Sequence, residues 1–130
     1  MMNPAYIRLP QYIDSRGVLV VCECSDDNIP FEPIRMFWIV HTPKDQVRGG
    51  HAHKETHQFL IAVTGSLDVI ASGLLYKLNS PFIGLHIPPG NYITLKNFTT
   101  GTALLVLCSH KYDESDYIYD DKNQISRSSS

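Results

Sequence analysis

The chain has 130 residues, 43% of them hydrophobic, and a formal net charge of −2. That size and composition fit one domain with a real apolar core, and the weak negative charge excludes the basic footprint of a nucleic-acid or anionic-membrane binder. Cys22, Cys24 and Cys108 are too few and too scattered for a disulfide framework, no basic or apolar leader is visible at residues 1–4, and no apolar run approaches the ~18 residues of a membrane span. The expectation is a cytoplasmic protein whose cysteines are core thiols.

Residues 5–9 read as a short strand that Pro10 confines to an edge or an end. Asp14-Ser15-Arg16-Gly17 is a turn by composition. The β-branched apolar run 18–22 is expected to be a buried strand, and residues 25–33, with two prolines and an acidic pair, a loop. Along 34–41 the chain alternates, with Ile34, Met36, Trp38 and Val40 on one face and Arg35, Phe37, Ile39 and His41 on the other. Both faces are partly apolar, which suits a strand between two layers or beside a subunit interface. Thr42-Pro43-Lys44-Asp45 is the next turn. Further along, strands are expected at 66–71, 74–78, 83–87, 92–95 and 102–108, divided by Ser72-Gly73, Asn79-Ser80-Pro81, Pro88-Pro89-Gly90 and a loop at 97–101. No helical period of useful length occurs, so about ten short strands predict an all-β barrel or sandwich. A single domain is expected over residues 1–120, followed by a polar, disordered tail at 121–130.

The chemistry concentrates in Val47-Arg48-Gly49-Gly50-His51-Ala52-His53-Lys54, with Gln58 and Gly65 behind it. Histidines at i and i+2 point to the same face of a strand, and glycines before them let the backbone turn or approach a ligand. After Glu55-Thr56-His57 a second apolar run, 58–63, stops at the turn signal Thr64-Gly65-Ser66. The two runs read as a hairpin carrying imidazoles on its concave face. Imidazole titrates near neutrality, so the pair could remove one proton and deliver another. Keto–enediol isomerisation makes that demand. Arg48 either binds a phosphate or stabilises an enolate, or is a surface strand charge.

The order of these pieces resembles the cupin jelly roll. In the first cupin motif, H-x-H is followed by Glu and then Gly; here His51, His53 and Gly65 match, but Gln58 holds the Glu position. In the second, Pro88, Gly90 and Asn97 match, but Ile93 holds the His position. Both departures remove a metal donor, and two imidazoles with a neutral amide are a poor first-row metal site. No metal or other cofactor is expected.

Arg48-Gly-Gly-His-Ala-His-Lys54, Gln58, Gly65-Ser66, Gly84-Leu-His-Ile-Pro-Pro-Gly90, Leu104-Leu-Val-Leu107 and Tyr112-Asp-Glu-Ser-Asp-Tyr-Ile118 together resemble the dTDP-sugar 3,4-ketoisomerases, as do Asp14-Ser-Arg-Gly17 and Ile29-Pro-Phe31. The resemblance implies a metal-independent cupin enzyme that moves the carbonyl of dTDP-4-keto-6-deoxy-D-glucose from C4 to C3. The product would be aminated toward 3-amino-3,6-dideoxyhexoses of surface glycans, lipopolysaccharide among them, or of antibiotics. It also implies a homodimer, commonly with an N-terminal strand exchanged, and His51 and His53 as the catalytic pair, with their individual roles left open. Trp38 occupies the place of an active-site tyrosine in that family, or else is a core aromatic. Arg16-Gly17 after the Asp-Ser turn leans toward the galacto product. Tyr92 keeps the aromatic that follows Pro-Pro-Gly, whereas Ile93 and Thr94 replace a polar His or Arg and a Glu. His86 is a candidate to take over the missing polar role.

Three other readings compete. A metal-free 3,5-epimerase would use a His–Asp dyad and a tyrosine acid, for which no matching spacing is visible. A non-catalytic sugar-nucleotide-binding module is consistent with Ile93 and Thr94. A metal-dependent cupin oxygenase would carry stoichiometric metal.

Overall fold

The computed structural model describes residues 2–26 and 28–119; the expected tail at 121–130 lies outside them. The strands in chain order are β1 (Ala5–Arg8), β2 (Gln11–Asp14), β3 (Gly17–Val20), β4 (Arg35–Val40), β5 (Arg48–His53), β6 (Gln58–Thr64), β7 (Leu67–Ala71), β8 (Leu74–Leu78), β9 (Ile83–Ile87), β10 (Ile93–Lys96), β11 (Ala103–Cys108) and β12 (Tyr117–Ile118). A 3-10 turn, Glu114–Asp116, precedes β12. Sheet 1 runs β1-β9-β6-β11-β4 and sheet 2 runs β12-β5-β10-β7-β8, with β2 and β3 forming a separate hairpin. All of these strand pairs are antiparallel. The architecture is the two-sheet, all-β cupin type that the sequence implied.

The main core lies between the sheets. Leu60, Leu85, Leu104 and Val106 from sheet 1 meet Val69, Ala71, Ile93 and Leu95 from sheet 2, with Phe98 closing one side. A second cluster covers the opposite face of sheet 1, where Leu9, Ile29 and Phe31 pack on Phe59, Ile61 and Leu107. β6 is therefore buried on both faces, which is why Phe59-Leu60-Ile61-Ala62 is apolar without alternation. β9 lies close above Phe59: a Cβ on Gly84 would stand 2.0 Å from the Phe59 ring. The β7–β8 turn is as expected, with Ser72 at φ 49° and Gly73 at φ 83°, the left-handed pair of a tight type I′ hairpin.

Three expectations need correction. The run 18–22 is not a buried strand: β3 pairs with β2, and Val18 and Leu19 are 46% and 63% exposed. Cys22 and Cys24 are exposed rather than core thiols, while Cys108 is buried. β-Branched composition favours a strand but does not supply a layer to cover it. Third, β5 and β6 are not a hairpin. β5 pairs with β10 and β12, and β6 with β9 and β11, so Glu55-Thr56-His57 crosses from one sheet to the other. Alternation reports which face a residue takes, not which strand lies beside it. β4 alternates as read, at the edge of sheet 1, with Met36 and Trp38 outward and 57% and 64% exposed.

Candidate active site

A cavity of about 350 Å³ opens between the two sheets. β4 contributes Arg35, Phe37 and Ile39; β5 contributes Arg48, Gly49 and His51; Gln58, Ile93, Leu95 and Tyr117 complete much of the wall. Tyr112 and Tyr119, flanking the 3-10 turn and β12, also line it.

The glycines ahead of the histidines set the approach of β5 to β10. Gly49 has φ +87°, and a Cβ there would lie 2.9 Å from the Ile93 carbonyl oxygen. The register slips between Ile93 and Thr94, and His51 ends directly opposite Ile93. The alternation of β5 then puts His51 and His53 on one face. Their rings are 5.1 Å apart and nearly perpendicular, at 88°. Tyr117, paired with His53 across β5 and β12, places its ring 4.6 Å from each of them.

The two imidazoles have different surroundings. His51 lines the cavity, its Nδ1 has no hydrogen-bond partner, and burial, reinforced by His53, holds its pKa down to about 4. His53 is buried beside it, and its Nδ1 lies 2.8 Å from Oδ2 of Asp116. A carboxylate only accepts, so Nδ1 carries the proton and Nε2 holds the lone pair. That Nε2 is buried and without a partner. Burial lowers the His53 pKa, Asp116 opposes the shift, and Arg35 and His110 add to it.

Asp116 is itself fixed. Its carboxylate accepts the Glu55 N–H at 2.7 Å and the Thr56 hydroxyl, besides His53. Burial pushes its pKa up, but the bonds from Thr56, His53 and Glu55 outweigh it and leave the acid below its usual range. Its backbone carbonyl accepts the Lys54 N–H at 2.8 Å, tying the 3-10 turn to the end of β5. Arg35 is held by rings, its guanidinium 5.0 Å from the Phe37 centroid and 5.4 Å from Tyr112. Burial raises the Tyr117 phenol pKa, and a hydrogen bond with Arg35 works against the rise.

Of the residues expected at the site, the structure brings His51, His53, Arg48 and Gln58 together. Gln58 reaches the Cys108 sulfur at 3.8 Å, while its Oε1 is buried without a partner. Four others fall elsewhere. Trp38 points away from the cavity because its neighbours Phe37 and Ile39 take the inward positions. His86 is on the outer face of sheet 1, its Nε2 2.9 Å from Nδ1 of His57. Tyr92 precedes β10 and does not line the cavity. Arg16 sits at the exposed tip of the β2–β3 hairpin, paired with Asp14. Reading the sequence alone gives Arg35, Asp116 and Tyr117 no individual role. The last two lie within the Tyr112–Ile118 motif, but the His53–Asp116 contact spans 63 residues. The absence of a visible His–Asp spacing was therefore no argument against such a dyad.

Among the described residues no group of three or more His, Cys, Asp or Glu is placed to hold a metal ion. The donor set agrees: His53 Nδ1 is committed to Asp116, and Ile93 faces His51.

Comparisons with known proteins add a family. The FdtA model, described as WxcM-like, C-terminal, matches residues 2–128. A TDP-4-oxo-6-deoxy-alpha-D-glucose-3,4-oxoisomerase of Aneurinibacillus thermoaerophilus is 38% identical over 121 residues, 90% of this chain and 86% of that protein. Among solved structures, the sugar 3,4-ketoisomerase QdtA of Thermoanaerobacterium thermosaccharolyticum, in complex with TDP, superimposes with a TM-score of 0.87 at 36% identity, covering 96% of this chain and 95% of that one. A 3,4-ketoisomerase of Helicobacter canadensis gives a TM-score of 0.87 at 37% identity, with 94% of each chain covered.

Proposed function

The chain belongs to the WxcM-like, C-terminal FdtA family of sugar 3,4-ketoisomerases, and from that premise we propose that it moves the carbonyl of dTDP-4-keto-6-deoxy-D-glucose from C4 to C3. The observation that carries this reading is the His51 imidazole lining a cavity with Arg35, Arg48 and Tyr117, the His53 imidazole packed 5.1 Å behind it, and an unpartnered ring nitrogen on each. His51, which lines the cavity, removes the proton from C3 and returns it to C4. His53 takes the proton from the C3 hydroxyl and passes it to the C4 oxygen. The intermediate is an enediolate, with one proton shared between O3 and O4 while His51 holds the other, and the net change is one proton from C3 to C4 and one from O3 to O4. No outside reductant is needed. A neutral imidazole is the form required for both removals, and burial favours it. Arg35 and Arg48 supply positive charge for the diphosphate or the developing enolate.

The galacto configuration at C4 is the outcome we propose, on the basis of Arg16-Gly17. The 3-keto product would then serve a transaminase in amino-sugar synthesis. The exposed apolar hairpin residues Tyr12, Ile13, Val18 and Leu19, with Met36 and Trp38 on the β4 face, support a homodimer. Sedimentation velocity tests it, and a monomer at micromolar concentration would refute it. No helix among the described residues is long and apolar enough to cross a membrane, and a nucleotide-sugar substrate supports a cytoplasmic enzyme working as one domain over residues 1–120.

Incubation with the 4-keto substrate in deuterium oxide, followed by NMR, is the direct test. Conversion to a 3-keto sugar, with the new C4 proton read for its configuration, is expected. Tight dTDP binding without any change in the sugar would instead favour a non-catalytic binding module.

A further inference from the structure

Asp116 has the geometry of a residue that works through another. It lies 63 residues from His53 in sequence yet meets its Nδ1 at 2.8 Å. Its side chain is only 10% exposed. Two donors besides His53, the Glu55 N–H and the Thr56 hydroxyl, fix the orientation of its carboxylate. The 3-10 turn that carries it is capped by Asp113, whose carboxylate accepts the Ser115 N–H at 3.0 Å. A surface ion pair needs none of this support. A group that must hold an imidazole in one orientation and one tautomer does.

We propose that Asp116 is the positioning residue for His53, fixing the proton on Nδ1 so that Nε2 is the nitrogen that takes and returns the sugar hydroxyl proton. The proposal rests on the ketoisomerase reading for what His53 does, but not for the tautomer itself. As the O3–H bond breaks, the Nε2–H bond forms; the imidazolium is held by the carboxylate; Nε2–H then breaks as O4–H forms. The other groups around His53 do not supply this. His51 and Tyr117 flank its ring, and Arg35 and His110 oppose its protonation. Asp116 is the acid whose charge favours a proton on it.

The sign of one change separates positioning from mere structural support. Removing the carboxylate with Asp116→Asn takes away the influence that opposes burial, so the His53 pKa falls further. Loosening the site instead lets water reach the ring and moves the pKa back up toward its ordinary value. The experiment is histidine side-chain 15N NMR across a pH titration of the whole protein, with kcat and KM profiles for wild type, Asp116→Asn and Asp116→Glu. Expected for the Asn variant are a lower His53 pKa, a larger share of the Nε2–H tautomer, a kcat lower by about 10²-fold and a KM changed by less. The Glu variant should recover part of the wild-type pKa and rate. A His53 pKa that rises in the Asn variant, or a tautomer that does not change, overturns the proposal. Should wild type show the Nδ1–H tautomer but no turnover, the ketoisomerase reading fails while the positioning stands.

Discussion

His57 and His86 lie on the outer face of sheet 1, and His51 and His53 lie on the inner face of sheet 2. The outer pair stacks nearly parallel, at 9°, and makes a ring-to-ring hydrogen bond of 2.9 Å. Phe31 packs against both rings, with centroids 5.7 and 5.9 Å away. The inner pair stands edge to face, with His51 lining a cavity and His53 buried behind it, and each residue has one buried ring nitrogen without a protein partner. Residue type is the same, and three of the four are buried, with His57 half-buried. What differs is the use of the nitrogens. The outer pair bonds ring to ring and serves packing, whereas one member of the inner pair is held by a carboxylate that leaves the lone pair on its other nitrogen unspent.

That contrast can be broken first at the inner pair. His51→Asn should lower kcat/KM by about 10³-fold or more, because the group that moves the carbon-bound proton is gone. Calorimetry should find dTDP binding retained; turnover within tenfold of wild type would remove His51 from the mechanism. Arg35→Ala comes next. It removes a cavity cation and the partner of Tyr117, and a rise in KM of about 10-fold to 10²-fold is expected from the lost charge-assisted contact. A change confined to thermal stability would make Arg35 a packing residue of the Phe37–Tyr112 cluster.

The outer face should respond in stability rather than rate. Gly84→Ala drives a methyl into the Phe59 ring behind the cavity wall, and overpacking of this kind costs about 1–3 kcal/mol. Thermal unfolding reads that cost, while kcat per folded enzyme should hold; an unchanged midpoint would mean the sheet yields freely there. The smallest effect is expected from His86→Asn, with kcat within about threefold of wild type, since the residue touches no part of the cavity. Its signature is in acid. Burial holds His86 and His51 at about 4, below the ordinary 6.5. Between those values the unfolded chain binds more protons than the folded one. Stability is therefore full above about pH 6.5 and drains as the pH falls toward 4. With His86→Asn this decline should become shallower in urea unfolding run across the range. An identical slope would show that the outer pair does not contribute to it.

The all-β class, most strand positions, the shared face of His51 and His53, and the apolar replacement at Ile93 are legible in the residues alone. Those features are local: period-2 alternation, turn residues and motif spacing are written in adjacent positions. The resemblance to ketoisomerases was legible for the same reason, since its motifs are short runs. Tertiary structure alone decided which strand lies beside which. It put β5 and β6 in different sheets, turned Trp38 outward, sent His86 to the far side with His57, and left Val18 and Leu19 uncovered. It also brought Asp116 and Tyr117 to His53 from the end of the described chain. Such pairings depend on which distant surfaces bury the most apolar area together. No periodicity within a single strand records that choice.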